Sequence, residues 1–144
     1  MTEGITFNEA LDLARLHGPP QILALVEWAR SVREEQGPQV DLCSIVNARS
    51  GSCSEDCAFC SQSAHHDTDV ATYPMMSTQE ILRHAEAAEQ AGAHHFCIVT
   101  AGKALSDRDF ETVLEAVRLI KEKTRLDRCA SLGLMTPERA KALR

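Results

Sequence analysis

VDLCSIVNARSGSCSEDCAFC, residues 40–60, is the stretch on which the reading of this chain turns. VDLCSIV is a short apolar run of the length of a buried strand, and the polar NARSGS that follows reads as a loop. Three cysteines then follow with the spacing C-x3-C-x2-C: Cys53, Cys57 and Cys60, with Phe59 immediately before the third. The sequence therefore predicts a strand that feeds the chain into a thiol-bearing loop.

Downstream, STQEILRHAEAAEQAG opens with a capping box from Ser77 to Glu80, repeats apolar residues at helical spacing and stops at Gly92. HHFCIVTAG reads as a second strand, SDRDFETVLEAVRLIKEKT as a helix capped by Ser106, and RCASLGL as a third strand. TPERAKALR starts a further helix, with Thr136 at the cap and Pro137 in its first turn. Upstream, TFNE has the form of another capping box before ALDLARL, and PPQILALVEWARSVREE carries a second helical pattern before the break at Gly37. Residues 1–37 are thus expected to form a helical lead-in, and residues 38–144 a β-α-β-α-β-α run.

Strands alternating with helices of this length imply parallel strands joined by right-handed crossovers. The cysteine loop, the AGK turn (residues 101–103) and the LGLM turn (residues 132–135) then share the C-terminal edge of the sheet, where α/β folds place their active sites. The expected fold class is α/β, a partial (β/α) TIM-type barrel of three units with an N-terminal helical lead-in. A complete eightfold barrel takes about 250 residues, so the chain reads as truncated.

The apolar fraction, 44% of 144 residues, is enough for a core, and the net charge is −6. No run of Lys and Arg interleaved with aromatics tracks a phosphate backbone, so no nucleic-acid partner is expected. MTEGITFNEALDLARLHGPP lacks an apolar stretch of signal-peptide length, and no run of about 18 apolar residues occurs. A cytoplasmic protein with no membrane partner is expected. In a reducing compartment its six cysteines read as metal ligands or buried thiols rather than a disulfide framework.

A structural zinc site is normally closed by four protein ligands, and a thioredoxin-like site needs only C-x-x-C. A cubane [4Fe–4S] cluster held by three thiolates keeps one iron open to a small molecule, and this fits the spacing best. A zinc site completed by His65 or His66 is the competing reading; otherwise those histidines are solvent-facing loop residues. Cys97 and Cys129 fall on neighbouring predicted strands, either as buried small hydrophobes or as ligands. Cys43 reads as strand packing, and Arg49 either as a neighbour of an anionic group or as a solvated loop charge.

C-x3-C-x2-C with Phe59 before the last cysteine, after a first strand, resembles the radical S-adenosylmethionine superfamily. Within it, SIVNARSGSCSEDCAFCSQS, residues 44–63, is similar to the biotin synthase family, and the resemblance extends over residues 38–144. It implies that Cys53, Cys57 and Cys60 hold a [4Fe–4S] cluster whose free iron chelates S-adenosylmethionine, and that electron transfer from it yields a 5′-deoxyadenosyl radical. It further implies that Cys97 and Cys129 are the first ligands of a [2Fe–2S] cluster, whose sulfide is the proposed sulfur donor. A third cysteine and an arginine complete that second cluster on later strands, which this sequence does not include.

By the same resemblance Phe59 and the backbone of Thr100, Ala101 and Gly102 contact the cofactor. Many superfamily members have a glycine-rich motif at that position, from which TAG departs. The implied activity is sulfur insertion into dethiobiotin to form biotin. The implied partners are dethiobiotin, an electron donor such as flavodoxin or ferredoxin, and a second copy of the chain in a homodimer. Two alternatives stand beside it: an inactive cluster-binding fragment, and a related radical enzyme with another substrate. The Cys97 and Cys129 pair argues against the second.

Overall fold

The computed structural model describes residues 4–144, and the chain divides into two compact units, Met1–Val40 and Asp41–Arg144. The first holds helices α1 (Phe7–Ala14) and α2 (Pro19–Glu35). A reciprocal capping box starts α1: the Glu9 amide donates to the Thr6 hydroxyl, and the Thr6 amide donates to the Glu9 carboxylate at 2.7 Å. The Thr6 hydroxyl, donating to the Glu9 carboxylate at 2.6 Å, and then the Thr6 amide hold that carboxyl below its ordinary pKa. Neither helix contains a buried residue, and Leu23, Val26 and Trp28 stay exposed.

The second unit is an α/β layer pair. Its strands β1 (Cys43–Arg49), β2 (His95–Thr100) and β3 (Asp127–Ser131) lie in the order β1-β2-β3, all parallel. Helices α3 (Thr78–Gln90) and α4 (Asp107–Lys123) connect them, and α5 (Pro137–Ala142) follows β3. The helix starts expected at Ser77, Ser106 and Thr136 are all present, each hydroxyl accepting a backbone N–H from three residues on. No described helix is long and apolar enough to cross a membrane.

Successive residues of a strand point to opposite faces, so each strand sorts its side chains into two sets. Val46, Ala48, Phe96 and Ile98 join Ile81, Leu82 and Ala85 of α3 and Phe110, Val113 and Ile120 of α4 in one buried cluster. The alternate residues occupy the other face, where Ile45, Cys97 and Cys129 form one row and Asn47, Val99 and Ser131 the next. No helix of this unit covers that second face, and Ile45 on it is 65% exposed. Between Asn47 and Arg49 the register slips by one residue, a bulge that re-aims the end of β1 as the chain enters the cysteine loop.

Candidate metal centre

At the end of β1 the chain reverses through two residues with positive φ, Gly51 at +71° and Ser52 at +50°. Glycine is required at the first: a Cβ there would lie 2.3 Å from the Thr72 hydroxyl oxygen. The base of the loop is closed by a two-way backbone pair, Ser50 N to Tyr73 O at 3.2 Å and Tyr73 N to Ser50 O at 3.1 Å. The Tyr73 hydroxyl also donates to the Asn47 carbonyl at 2.7 Å.

Within that frame the segment 62–66, QSAHH, laces the thiol-bearing segment. Cys53 N donates to Gln62 O at 3.0 Å, and Ala64 N donates back to Cys53 O at 2.8 Å. The buried Ser63 hydroxyl donates to Glu55 O at 2.7 Å. The His65 ring nitrogen Nε2 lies 3.2 Å from Ser54 O, and that of His66 lies 3.0 Å from Cys57 O. Both partners are carbonyls, so both Nε2 atoms carry the proton and donate. His65 is exposed and His66 half-exposed, as expected of solvent-facing loop residues, and both also clamp the loop through these bonds. Cys57 and Cys60 are joined by a tight turn, Cys60 N to Cys57 O at 2.9 Å.

All three loop cysteines are free thiols, Cys57 exposed and Cys53 and Cys60 half-buried. Among the described residues no three His, Cys, Asp or Glu side chains converge as ligands of one metal ion. A cubane makes a different demand, one thiolate on each of three irons, and three unpaired thiols in a loop already tied by hydrogen bonds are a donor set that suits it. Phe59 between them is 95% exposed.

Cys97 and Cys129 are in direct register on β2 and β3, whose backbones in a sheet lie about 4.8 Å apart. They occupy the face away from α3 and α4, and neither belongs to the helix-side core. Cys97 is buried and Cys129 exposed. Desolvation pushes the Cys129 thiol above its ordinary pKa, and its hydrogen bond to Cys97 and the charge there act the same way. Cys43 lies at the start of β1, exposed rather than packed, and its Sγ is 3.7 Å from the Ser44 carbonyl.

Arg49 is neither a solvated charge nor free for an anion. It pairs with Asp109 at 2.9 Å, both side chains mostly buried, and its Nε donates to Ala101 O at 2.8 Å. Ala101 N donates back to Arg49 O at 2.8 Å, so the turn after β2 is fastened to the end of β1. Thr100 follows Phe96 and Ile98 in the strand's alternation, and its buried hydroxyl oxygen has no partner. Gly102, at φ +116°, packs against the Arg49 guanidinium where a Cβ would otherwise sit.

The three edge loops interlock. Lys103 Nζ reaches Glu55 of the cysteine loop at 3.5 Å, and Leu134 N donates to Lys103 O at 2.7 Å. Gly133, at φ +76°, leaves no room for a side chain, since a Cβ would stand 2.3 Å from Lys103 O. Gly133→Ala should therefore cost at least about 2 kcal/mol, left-handed strain and clash together, and lower the thermal midpoint by several degrees. An unchanged melting curve would show that the LGLM turn is not held by this contact.

Sequence spacing located the cysteines but missed Gln62, Ser63 and Asn47, whose role lies in side-chain hydrogen bonds that no periodicity encodes. The QS pair at residues 62–63, one residue beyond Ser61, was the available signal.

Residues 48–144 match the family model described as the radical SAM superfamily, SAM being S-adenosylmethionine. A biotin synthase from Pelotomaculum thermopropionicum is 47% identical over 140 residues, covering 97% of this chain and 44% of its own length. A biotin synthase from a Picosynechococcus species is 48% identical over 147 residues, covering 97% of this chain and 40% of its own. A third, from Clostridium acetobutylicum, is 44% identical over 144 residues, covering 98% and 44%. The chain thus spans about two fifths of the length of the curated relatives it matches. With its thiol loop at the end of β1 inside the matched region, the chain belongs to the radical SAM superfamily.

Proposed function

We propose that this chain is the N-terminal part of a biotin synthase, which inserts sulfur into dethiobiotin by radical chemistry. The observation that carries the reading is the presence of two thiol sets: the three-cysteine loop at the C-terminal edge of the sheet, and Cys97 beside Cys129 on the face away from the helix-side core. A radical S-adenosylmethionine site alone needs only the first set. Two register-matched cysteines below it give a place for a second, sulfur-bearing cluster.

In this reading Cys53, Cys57 and Cys60 hold the [4Fe–4S] cluster, and Cys97 and Cys129 supply two ligands of a [2Fe–2S] cluster. When bound, the first cluster and S-adenosylmethionine supply the reducing electron and the adenosyl radical that removes hydrogen from substrate carbon. The chain's own residues bind and orient. Phe59, exposed beside Cys60, offers a ring face for stacking. The backbone around Thr100 to Gly102, held by Arg49, borders the cofactor, and the absence of a side chain at Gly102 makes room for the Arg49 guanidinium that fastens this turn. The open sheet face becomes the inner wall of a (β/α) barrel completed by later strands, which keep water from the radical. An electron-donor protein such as flavodoxin or ferredoxin and a homodimer belong to the same reading.

The test is a chimera in which residues 1–144 replace the matching part of the Pelotomaculum relative. It should convert dethiobiotin to biotin in the presence of reductant and S-adenosylmethionine. Its Cys97→Ala and Cys129→Ala forms should still cleave S-adenosylmethionine but form no biotin. Cleavage without biotin in the unmutated chimera would point instead to a radical enzyme acting on another substrate.

A further inference from the structure

Gln62 stands two residues after Cys60, and its side chain meets the strand that leads into the loop. Its carboxamide oxygen accepts three hydrogen bonds, from Asn47 Nδ2 at 3.1 Å, Ser50 Oγ at 3.1 Å and Gly51 N at 3.2 Å. The Gly51 amide can only donate, so the atom facing it must be the oxygen of Gln62. That in turn obliges Asn47 to present its NH2 group, which leaves Asn47 Oδ1 buried without a partner. The orientation of both amides follows from one backbone N–H. Meanwhile the Gln62 main-chain carbonyl holds the amide of Cys53.

We propose that Gln62 is the positioning residue of the thiol loop, its side-chain oxygen fixing Cys53 relative to Cys57 and Cys60 before metal arrives. The proposal rests on the cluster reading above and deepens it. The Gln62 backbone carries the segment that follows Cys60, while its side chain grips Ser50 and Gly51, three and two residues before Cys53. One residue thereby ties together the two ends of the C-x3-C-x2-C segment across the positive-φ turn at Gly51 and Ser52. A cubane needs its thiolates at set corners, and a loop tied in advance avoids the ordering entropy of assembling them. Removing the acceptor leaves three donors unpaired at the base of the loop, which is the costly form of a lost hydrogen bond.

Two variants separate positioning from bulk. Gln62→Glu keeps an oxygen acceptor at the same place, whereas Gln62→Leu keeps the volume and removes the acceptor. The experiment is anaerobic reconstitution of the chain with iron and sulfide, desalting, iron assay and electron paramagnetic resonance of the dithionite-reduced sample. Melting of the metal-free proteins runs in parallel. Gln62→Leu should retain at least about fivefold less iron than the unmutated chain, or give an altered line shape, and Gln62→Glu should stay within about twofold. Metal-free melting of Gln62→Leu should fall by the cost of the unpaired donors yet remain one cooperative transition, because Gln62 lies outside the helix-side core that carries the fold.

Equal loading and an identical line shape in Gln62→Leu would overturn the proposal, as would equal losses in Leu and Glu. Should Gln62→Leu fail to fold, Ser50→Ala removes one of the three donors: a partial loss of iron supports the proposal and undiminished loading overturns it. Absence of any cluster in the unmutated chain would sink the cluster reading itself, a result distinct from these.

Discussion

Cys57→Ala in the anaerobically reconstituted chain should lower bound iron from about four atoms per chain to below about one, because a cubane left with two thiolates lacks the ligands to stay bound. The size of the effect follows from what Cys57 does not do. Its side chain is exposed and lies outside the hydrophobic core, so the metal-free protein should melt as before. His66 holds the Cys57 carbonyl and not its sulfur, so the loop's lacing survives the substitution. Cys53→Ala and Cys60→Ala should behave alike, while Cys43→Ala, far along β1 at its other end, should leave iron unchanged. Retention of four irons by Cys57→Ala would show that the loop is not the cluster site.

Phe96→Ala should destabilise the second unit by about 3–5 kcal/mol, the usual cost of emptying a fully buried aromatic site. Phe96 is 1% exposed, seated on β2 in the cluster formed with α3 and α4. Its neighbour Cys97 points the other way, so Cys97→Ala should cost about 1 kcal/mol or less by comparison. Urea unfolding followed by far-ultraviolet circular dichroism measures both. The contrast tests the division of labour between the two faces of the sheet: one carries the stability and the other carries the thiols. Equal losses from the two substitutions would mean that Cys97 is a core residue and not a ligand.

The elements of the second unit were legible because their signals are local. Ser77 and Glu80 form a reciprocal box in the structure as their spacing implies, and Gly92 takes up the positive φ that ends α3. The alternation of strand and helix fixed the parallel order, and through it the common edge on which the thiol loop, the AGK turn and the LGLM turn meet. The site was legible only in part. Arg49 was read as a charge near an anion or in solvent, yet the sheet brings Asp109 to it from 60 residues away. Such a pairing depends on where α4 begins above β2, which no local pattern around Arg49 reveals. His65 and His66 read as solvent-facing loop residues and are at least partly exposed, but their bonds to the loop were not legible, because the carbonyl partners lie 11 and 9 residues back across a turn with its own irregular backbone. Cys43 was expected to pack within a strand, but it lies at the exposed start of β1, on the face that no helix of the unit covers.

The central claim is that three thiolates in one loop hold a four-iron cluster with one iron open to S-adenosylmethionine. Electron paramagnetic resonance of the reduced, reconstituted chain, recorded with and without S-adenosylmethionine, tests it most directly. A ligand binding to the open iron changes the cluster's coordination, so the spectrum should shift on addition and revert when the ligand is removed by gel filtration. A reconstituted four-iron cluster whose spectrum is indifferent to saturating S-adenosylmethionine would contradict the claim.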